Sequence, residues 1–452
     1  MVELGRSGDL PLLPSQAWFM HQMLPHMLNP NNWNLSQVVQ LPAAADSDLA
    51  QAAVAAVWRE QQALRLTFRQ DAQGWRQRVG DVETPVPFHV VDFSGLDPGH
   101  YQEAGEILFD QAQYSLNIEA GPLVRFVYVR LANGLPPRLL VAVHHLVCDG
   151  LSLWILTSEI ERAVDRLLAS RPLGSGRAAP YVDCVRALEE YVASEALHAE
   201  IDHWSTLGQQ AVGRPFGEPH PHNGLFKQWA TILVRAEHAP ARVIARDWPG
   251  RSLVPLELVS LALVVDVMTE LVDGPIWVEV IGRGRDLTRG RTGELVFPHR
   301  VRRTVGWFST AGLVLLPPRG ELDPEAFVRR VGDQLDAAPN KGMGLNLLRW
   351  LAPPGGHSTV VDRIGASSAF VFNYLGSVDS SRAETLKKGV SLPLLPKNRD
   401  PLLPPAPIHV RVVAADDELL FFIDYDPGRQ APSDIAGVVT LLETACKRYA
   451  QI

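Results

Sequence analysis

The chain is short of the features that a stapled, membrane-spanning or nucleic-acid-binding protein needs. Its 452 residues include three cysteines, Cys148, Cys184 and Cys446, widely spaced and odd in number. That spacing offers no disulfide framework and no structural zinc motif, and it fits a reducing, cytoplasmic setting. No apolar run reaches the roughly 18 residues of a membrane span. The start, MVELGRSGDLPLL, has no basic stretch followed by an apolar one, so no secretory leader is expected. The net charge of −8 lacks the basic excess of a nucleic-acid binder. Lysine occurs only at 227, 341, 387, 388, 397 and 447; the remaining basic residues are arginines, a compositional bias that carries no mechanism.

What remains is an ordinary globular composition, 46% hydrophobic and 20% charged, in a chain too long for one core. Two domains are therefore expected. The first half alternates helical and extended patterns. Residues 15–24 read as a short helix with Ser15 as N-cap, and 46–61 as an Ala-rich helix with an acidic start. Residues 34–41 read as a strand, 64–70 and 75–79 as a hairpin, and 123–131 and 138–143 as two further strands.

The stretch 170–179, SRPLGSGRAA, is the best linker candidate. Beyond it, 181–207 reads as one long helix, and 256–271, 324–337 and 433–450 as others. Strands are expected at 228–234, 276–281, 312–316, 369–374, 408–413 and 419–423. Mixed elements in both halves predict two α/β lobes with a cleft between them.

The most specific pattern is His144-His145-Leu146-Val147-Cys148-Asp149-Gly150. It follows the apolar run 139–143 and precedes an amphipathic pattern over 151–168. A neutral imidazole at a strand-to-loop junction can take or position a proton near pH 7. Asp-Gly lets the chain turn closely around it. Cys148 lies inside the pattern but at one of its variable positions, which argues against a nucleophile there.

A second special stretch, 283–303, carries arginines at 283, 285, 289, 291, 300, 302 and 303 against Asp286 and Glu294. It reads either as a solvated loop or as a docking surface for an acidic partner.

These residues resemble a known superfamily. The HHxxxDG pattern is similar to the signature of the condensation and epimerization domains of nonribosomal peptide synthetases. Other segments agree in order along nearly the whole chain. Leu13-Pro14-Ser15-Gln16-Ala17-Trp18-Phe19 resembles the opening motif of the epimerization branch, and Ala63-Leu64-Arg65-Leu66-Thr67-Phe68 its ALRTTF motif. Arg303-Thr304-Val305-Gly306-Trp307-Phe308 is similar to RTVGWF. Pro339-Asn340-Lys341-Gly342-Met343-Gly344-Leu345 resembles PxxGxGYG, and Phe372-Asn373-Tyr374-Leu375-Gly376 is similar to FNYLG. One motif departs. Where the epimerization branch has EGHGRE, with a catalytic glutamate first, this chain has Ile281-Gly282-Arg283-Gly284-Arg285-Asp286. Glu279, two residues upstream, would face the same way on a strand but displaced by roughly 6–7 Å.

The resemblance implies an α/β (α+β) fold of two chloramphenicol-acetyltransferase-like lobes, residues 1–175 and 176–452, in a V-shaped pseudo-dimer. It implies a free-standing condensation enzyme of secondary metabolism, an acyltransferase like the discrete enzymes of enediyne assembly. The donor would be an acyl or aminoacyl thioester on the phosphopantetheine arm of a carrier protein. The acceptor would be a small-molecule amine or alcohol, giving an amide or ester. An epimerization domain of a peptide synthetase and a non-catalytic carrier-protein recruitment domain are the alternatives. No intrinsic cofactor, metal, nucleic acid or membrane is expected.

His145 would be the catalytic residue and His144 would fix the loop. Asp149 would form a structural ion pair with Arg285, and Gly150 would let the arm or backbone pass closely. Ser309 and Thr310 could offer hydroxyls to the oxyanion or acceptor, and Asn373 is a candidate cleft residue. Trp307 reads as a core residue.

Overall fold

Residues 139–143, five consecutive apolar side chains, form the middle of a strand buried on both faces. That strand anchors the first of two compact units. The computed structural model describes residues 8–72, 74–132, 134–174, 177–210, 230–249, 254–289, 293–353, 361, 364, 368–378, 408–415, 417–428 and 430–451.

The first unit takes the chain up to Tyr191 together with Leu295–Ser309. Its four-stranded sheet has the order β1-β6-β5-β4, from β1 (Asn34–Gln40), β4 (Phe88–Asp92), β5 (Val124–Arg130) and β6 (Arg138–His144). β6 is antiparallel to both its neighbours, and β4 lies parallel to β5. A separate hairpin pairs β2 (Leu66–Asp71) with β3 (Gly74–Val79).

Side chains alternate along β6. Leu140 and Ala142 pack with Val127, Val129 and Phe93 under Leu108, Phe109 and Ala112 of α3 (Tyr101–Tyr114). α2 (Ser47–Glu60) and α4 (Gly150–Leu168) pack on each other and against β5 and β1. Each is started by an aspartate: Asp46 Oδ1 accepts from Leu49 N at 2.8 Å, and Asp149 Oδ1 from Ser152 N at 2.7 Å.

The second unit holds a six-stranded sheet of order β7-β12-β11-β10-β8-β9. Its strands are β7 (Ala230–Arg235), β8 (Ile276–Gly282), β9 (Thr310–Leu316), β10 (Ser368–Val378), β11 (Ile408–Ala415) and β12 (Glu418–Tyr425). β10 is parallel to β8 and β11; the other pairs are antiparallel. α8 (His238–Arg242) packs on β12 and α12 (Pro432–Tyr449), and α9 (Leu256–Val272), apolar nearly all round, packs against the sheet, α10 (Pro324–Ala337) and α12. Among the described residues no helix is long and apolar enough to cross a membrane.

Several sequence expectations need correction. The first helix, α1 (Pro14–Trp18), is capped by Leu13, not Ser15: Gln16 Oε1 accepts the Leu13 N–H at 2.7 Å, and the chain continues as a π-turn over Phe19–Met23. The long helix expected over 181–207 is three: α5 (Tyr181–Val192), α6 (Glu195–His198) and α7 (Ile201–Leu207). The break comes at Ser194, whose backbone is extended.

The described part of the expected linker is tied to the first unit, because Glu60 accepts the N–H groups of Arg177 and Ala178 at 2.8 and 2.9 Å. The division of the chain accordingly falls later than residue 175, and Leu295–Ser309 returns to the first unit. β4, α3 and α11 (Met343–Trp350) were not foreseen. Residues 175–176 of the linker, 228–229 of the expected strand and Arg291 lie outside the described residues.

Candidate active site

β6 ends on His144, and the chain then tightens into a short 3-10 turn over His145–Val147. His144 is fully buried. Its Nδ1 accepts the Leu146 N–H at 3.2 Å and its Nε2 donates to the Pro30 carbonyl at 2.9 Å, which assigns the neutral Nε2–H tautomer. Burial above all pushes its pKa down to about 4, the Pro30 carbonyl working the other way. Phe19 meets the ring edge-on at 5.9 Å between centroids.

His145 sits one residue on, half-buried. Its backbone N–H donates to the Trp33 carbonyl at 2.8 Å. Its imidazole packs near two indoles: Trp307 at 4.3 Å and 44°, and Trp33 at 6.0 Å and 28°. Trp18 and Phe19 pack on Trp307 at 6.3 and 6.2 Å. The imidazole is thus confined by aromatic rings, which hold its plane.

The turn beneath is held by a polar network that sequence reasoning missed. Gln16, fully buried, donates to the Leu146 carbonyl at 2.8 Å and meets Gln77 Oε1 at 3.1 Å and the Tyr181 hydroxyl at 3.2 Å. Tyr181 donates to Gln77 Oε1 at 3.0 Å, and burial keeps its hydroxyl protonated by raising its pKa. Only the LPSQAWF resemblance pointed near Gln16; Gln77 and Tyr181 had no signal.

Asp149 is buried and its carboxylate is shared. Oδ1 caps Ser152, while Oδ2 accepts the N–H groups of Phe308 and Ser309, both at 3.0 Å. It therefore joins the histidine turn to the GWF segment within the first unit. Gly150 begins α4 and is exposed. A Cβ there would meet nothing within 4 Å among the described residues, so none of the described backbone passes closely. Ser309 is half-buried, its carbonyl accepting from the Ser15 hydroxyl.

Thr310, Arg285 and Asn373 belong to the second unit. Thr310 is buried at the start of β9, opposite Gly282. Arg285 is buried, and its Nη1 donates to the Arg283 carbonyl at 3.4 Å. Arg283, Arg300 and Arg302 are exposed, whereas Arg303 pairs with Glu159, so the arginine-rich stretch is not one solvated loop. Asn373 is half-buried on β10, opposite Arg411, whose guanidinium makes a two-armed pair with Asp424 at 2.8 Å on each arm.

Ile281 lies on β8 opposite Ala311, and Glu279 shares its face opposite Leu313. Burial pushes Glu279 up to about 7, against the opposing pull of Arg349 and a hydrogen bond from Ser368. Among the described residues no three His, Cys, Asp or Glu side chains cluster as metal ligands would.

Residues 6–214 match the family model of the Condensation domain. A linear gramicidin synthase polypeptide from Brevibacillus parabrevis is 30% identical over 381 residues, covering 82% of this chain and 7% of that protein. The chain thus spans less than a tenth of the length of the first curated relatives it matches. Among solved structures, the epimerization domain from the third module of tyrocidine synthetase B superposes with a TM-score of 0.77 at 20% identity, covering 98% of this chain and 96% of that one. SgcC5 protein from Streptomyces globisporus gives 0.71 at 16% identity, covering 97% and 99%.

Fold and motif together define a condensation-type domain. The chain belongs to the condensation/epimerization superfamily of nonribosomal peptide synthetases.

Proposed function

We propose that the chain is a condensation catalyst. It transfers an acyl or aminoacyl group, held as a thioester on the phosphopantetheine arm of a carrier protein, to a small amine or alcohol. The observation that carries this reading is the combination of His145, packed near Trp33 and Trp307, with an apolar Ile281 at the glutamate position of the epimerization branch. Inversion at an α-carbon needs one group to remove a proton and another to return it, and an isoleucine does neither. Condensation needs only one.

In the proposed step the acceptor nitrogen or oxygen attacks the thioester carbonyl, with neutral His145 accepting or orienting its proton. The tetrahedral centre collapses, the C–S bond breaks, and the proton passes to the departing thiolate. A thioester is already activated, so the chemistry requires no covalent enzyme intermediate. Gly150, exposed beside the motif, leaves room for the arm to approach.

The test incubates the chain with a separately supplied aminoacyl carrier protein and a panel of amines and alcohols in heavy water. Amide or ester formed with retained configuration is the expected result, and turnover on a separate carrier would mark a free-standing enzyme. The fold of the tyrocidine epimerization domain gives the second reading its standing. Deuterium at the α-carbon together with D-amino acid, without any condensed product, would replace the first reading by the second.

A further inference from the structure

Ser152 lies outside the residues that the histidine motif marks, yet it grips the segment covering His145. It is fully buried in the first turn of α4. Its hydroxyl donates to the Gly306 carbonyl at 2.7 Å and accepts the Gly306 N–H at 3.0 Å. Only a group that both donates and accepts can hold the two polar ends of one residue in this way. On the far side of Trp307, Asp149 Oδ2 takes the next two N–H groups, those of Phe308 and Ser309. The Asp149 N–H adds a bond to the Gly306 carbonyl at 3.3 Å.

Gly306 itself has no room for a side chain, since a Cβ would come within 2.6 Å of the Phe308 ring and 2.8 Å of Tyr181. The backbone on both sides of Trp307 is therefore bound to the first turn of the helix that follows the motif. The indole between these anchors rests on the His145 imidazole.

We propose that Ser152 is a positioning residue: by clamping Gly306 it sets the Trp307 indole against His145 and fixes the orientation of the imidazole. This rests on the catalytic reading of His145 given above. Reaction rates fall steeply when a catalytic group is displaced by an ångström, so loosening this wall acts on the chemical step and not on carrier binding.

The experiment compares wild type with Ser152→Ala, Ser152→Cys and Ser152→Thr, each also carrying Trp307→Phe as a reference. One readout is kinetic. Ser152→Ala should lower kcat by about 10- to 100-fold with KM for the loaded carrier little changed, and Ser152→Thr should recover most of it. The other is independent of turnover. An imidazolium touching an indole quenches its emission, so the Trp307 contribution should fall as His145 is protonated. His144, with its pKa pushed down to about 4, stays neutral above that pH, so a change seen there is not its own.

The quenching should vanish in His145→Gln, weaken by more than half in Ser152→Ala and Ser152→Cys, and return in Ser152→Thr. If the wild type condenses nothing, the functional reading fails while the fluorescence still decides the positioning. A folded Ser152→Ala or Ser152→Cys protein with wild-type quenching overturns the proposal.

Discussion

Trp307 and His145, far apart in the chain, lie with ring centroids 4.3 Å apart. The histidine opens the turn that follows β6, and the tryptophan comes from a segment that returns to the first unit much later in the sequence. Trp33 faces the imidazole at 6.0 Å. Two aromatic rings thus pack on the imidazole and restrict how its plane can turn.

His145→Ala should remove condensation while leaving the fold in place. The ring is half-buried at the surface of the turn, and the backbone bond to Trp33 survives the substitution. A rate loss of about 10²–10⁴ is the scale for such a group. Product quantified by mass spectrometry checks it, and near-wild-type turnover would favour a domain that only recruits carrier proteins.

Asp149→Ala strips three backbone N–H groups of their acceptor, those of Ser152, Phe308 and Ser309. Each buried orphan costs about 1–3 kcal/mol, so a total near 3–5 kcal/mol is expected after partial hydration. Asp149→Asn keeps one carbonyl oxygen and should lose about half as much. Urea unfolding measures both; an unchanged midpoint for the alanine variant would mean that these bonds do not form in solution.

His144 predicts a loss of stability on acidification. Its folded pKa, about 4, lies below the unfolded value of 6.5. Stability is therefore complete above about pH 6.5 and declines as pH falls towards 4, where the unfolded chain alone takes up the proton. The full effect is about 3 kcal/mol. His144→Asn should flatten the melting temperature between these pH values relative to wild type, whatever its absolute stability.

Glu279 predicts the opposite slope. Its folded pKa, about 7, lies above the unfolded value of 4.5, so burial costs nothing at low pH. The cost builds as pH rises from 4.5 to 7, where the unfolded chain loses its proton first, and is complete above 7, at about 3 kcal/mol. Glu279→Gln should gain on wild type at pH 8 and lose that gain at pH 4.5. A constant difference across that range would place the carboxyl in water. The same variant should leave condensation intact if the group serves stability only.

Elements whose ends carry local chemistry were legible in the sequence. α10 starts and stops where its pattern predicted, because Asp323 caps Ala326 at 2.8 Å and Pro324 opens the first turn. The run 139–143 announced a strand buried on both faces. β4 was missed because its side chains are mostly half-buried or exposed, which blurs the alternation that marks a strand. α3 was missed across Gly105, a weak helix former in its middle.

At the site, the histidine pair and Asp149 stood out as a motif. Their partners did not. Gln16, Gln77, Tyr181 and Ser152 act through hydrogen bonds to residues dozens or hundreds of positions away, and such bonds leave no mark on neighbouring sequence. The placing of Leu295–Ser309 with the first unit is of the same kind.

That placing has a consequence for biosynthesis. On the ribosome, the turn bearing His145 leaves the exit tunnel long before the segment that supplies Gly306, Phe308 and Ser309. Until then the carboxylate of Asp149 and the hydroxyl of Ser152 lack the backbone groups that they hold in the finished protein. The nascent first unit is a half-built scaffold that must wait for much of the second to be translated. A chain cut after α5 would have the histidine motif but not the loop that orients it, so exchange of the N-terminal piece alone between related enzymes carries the motif without its own clamp.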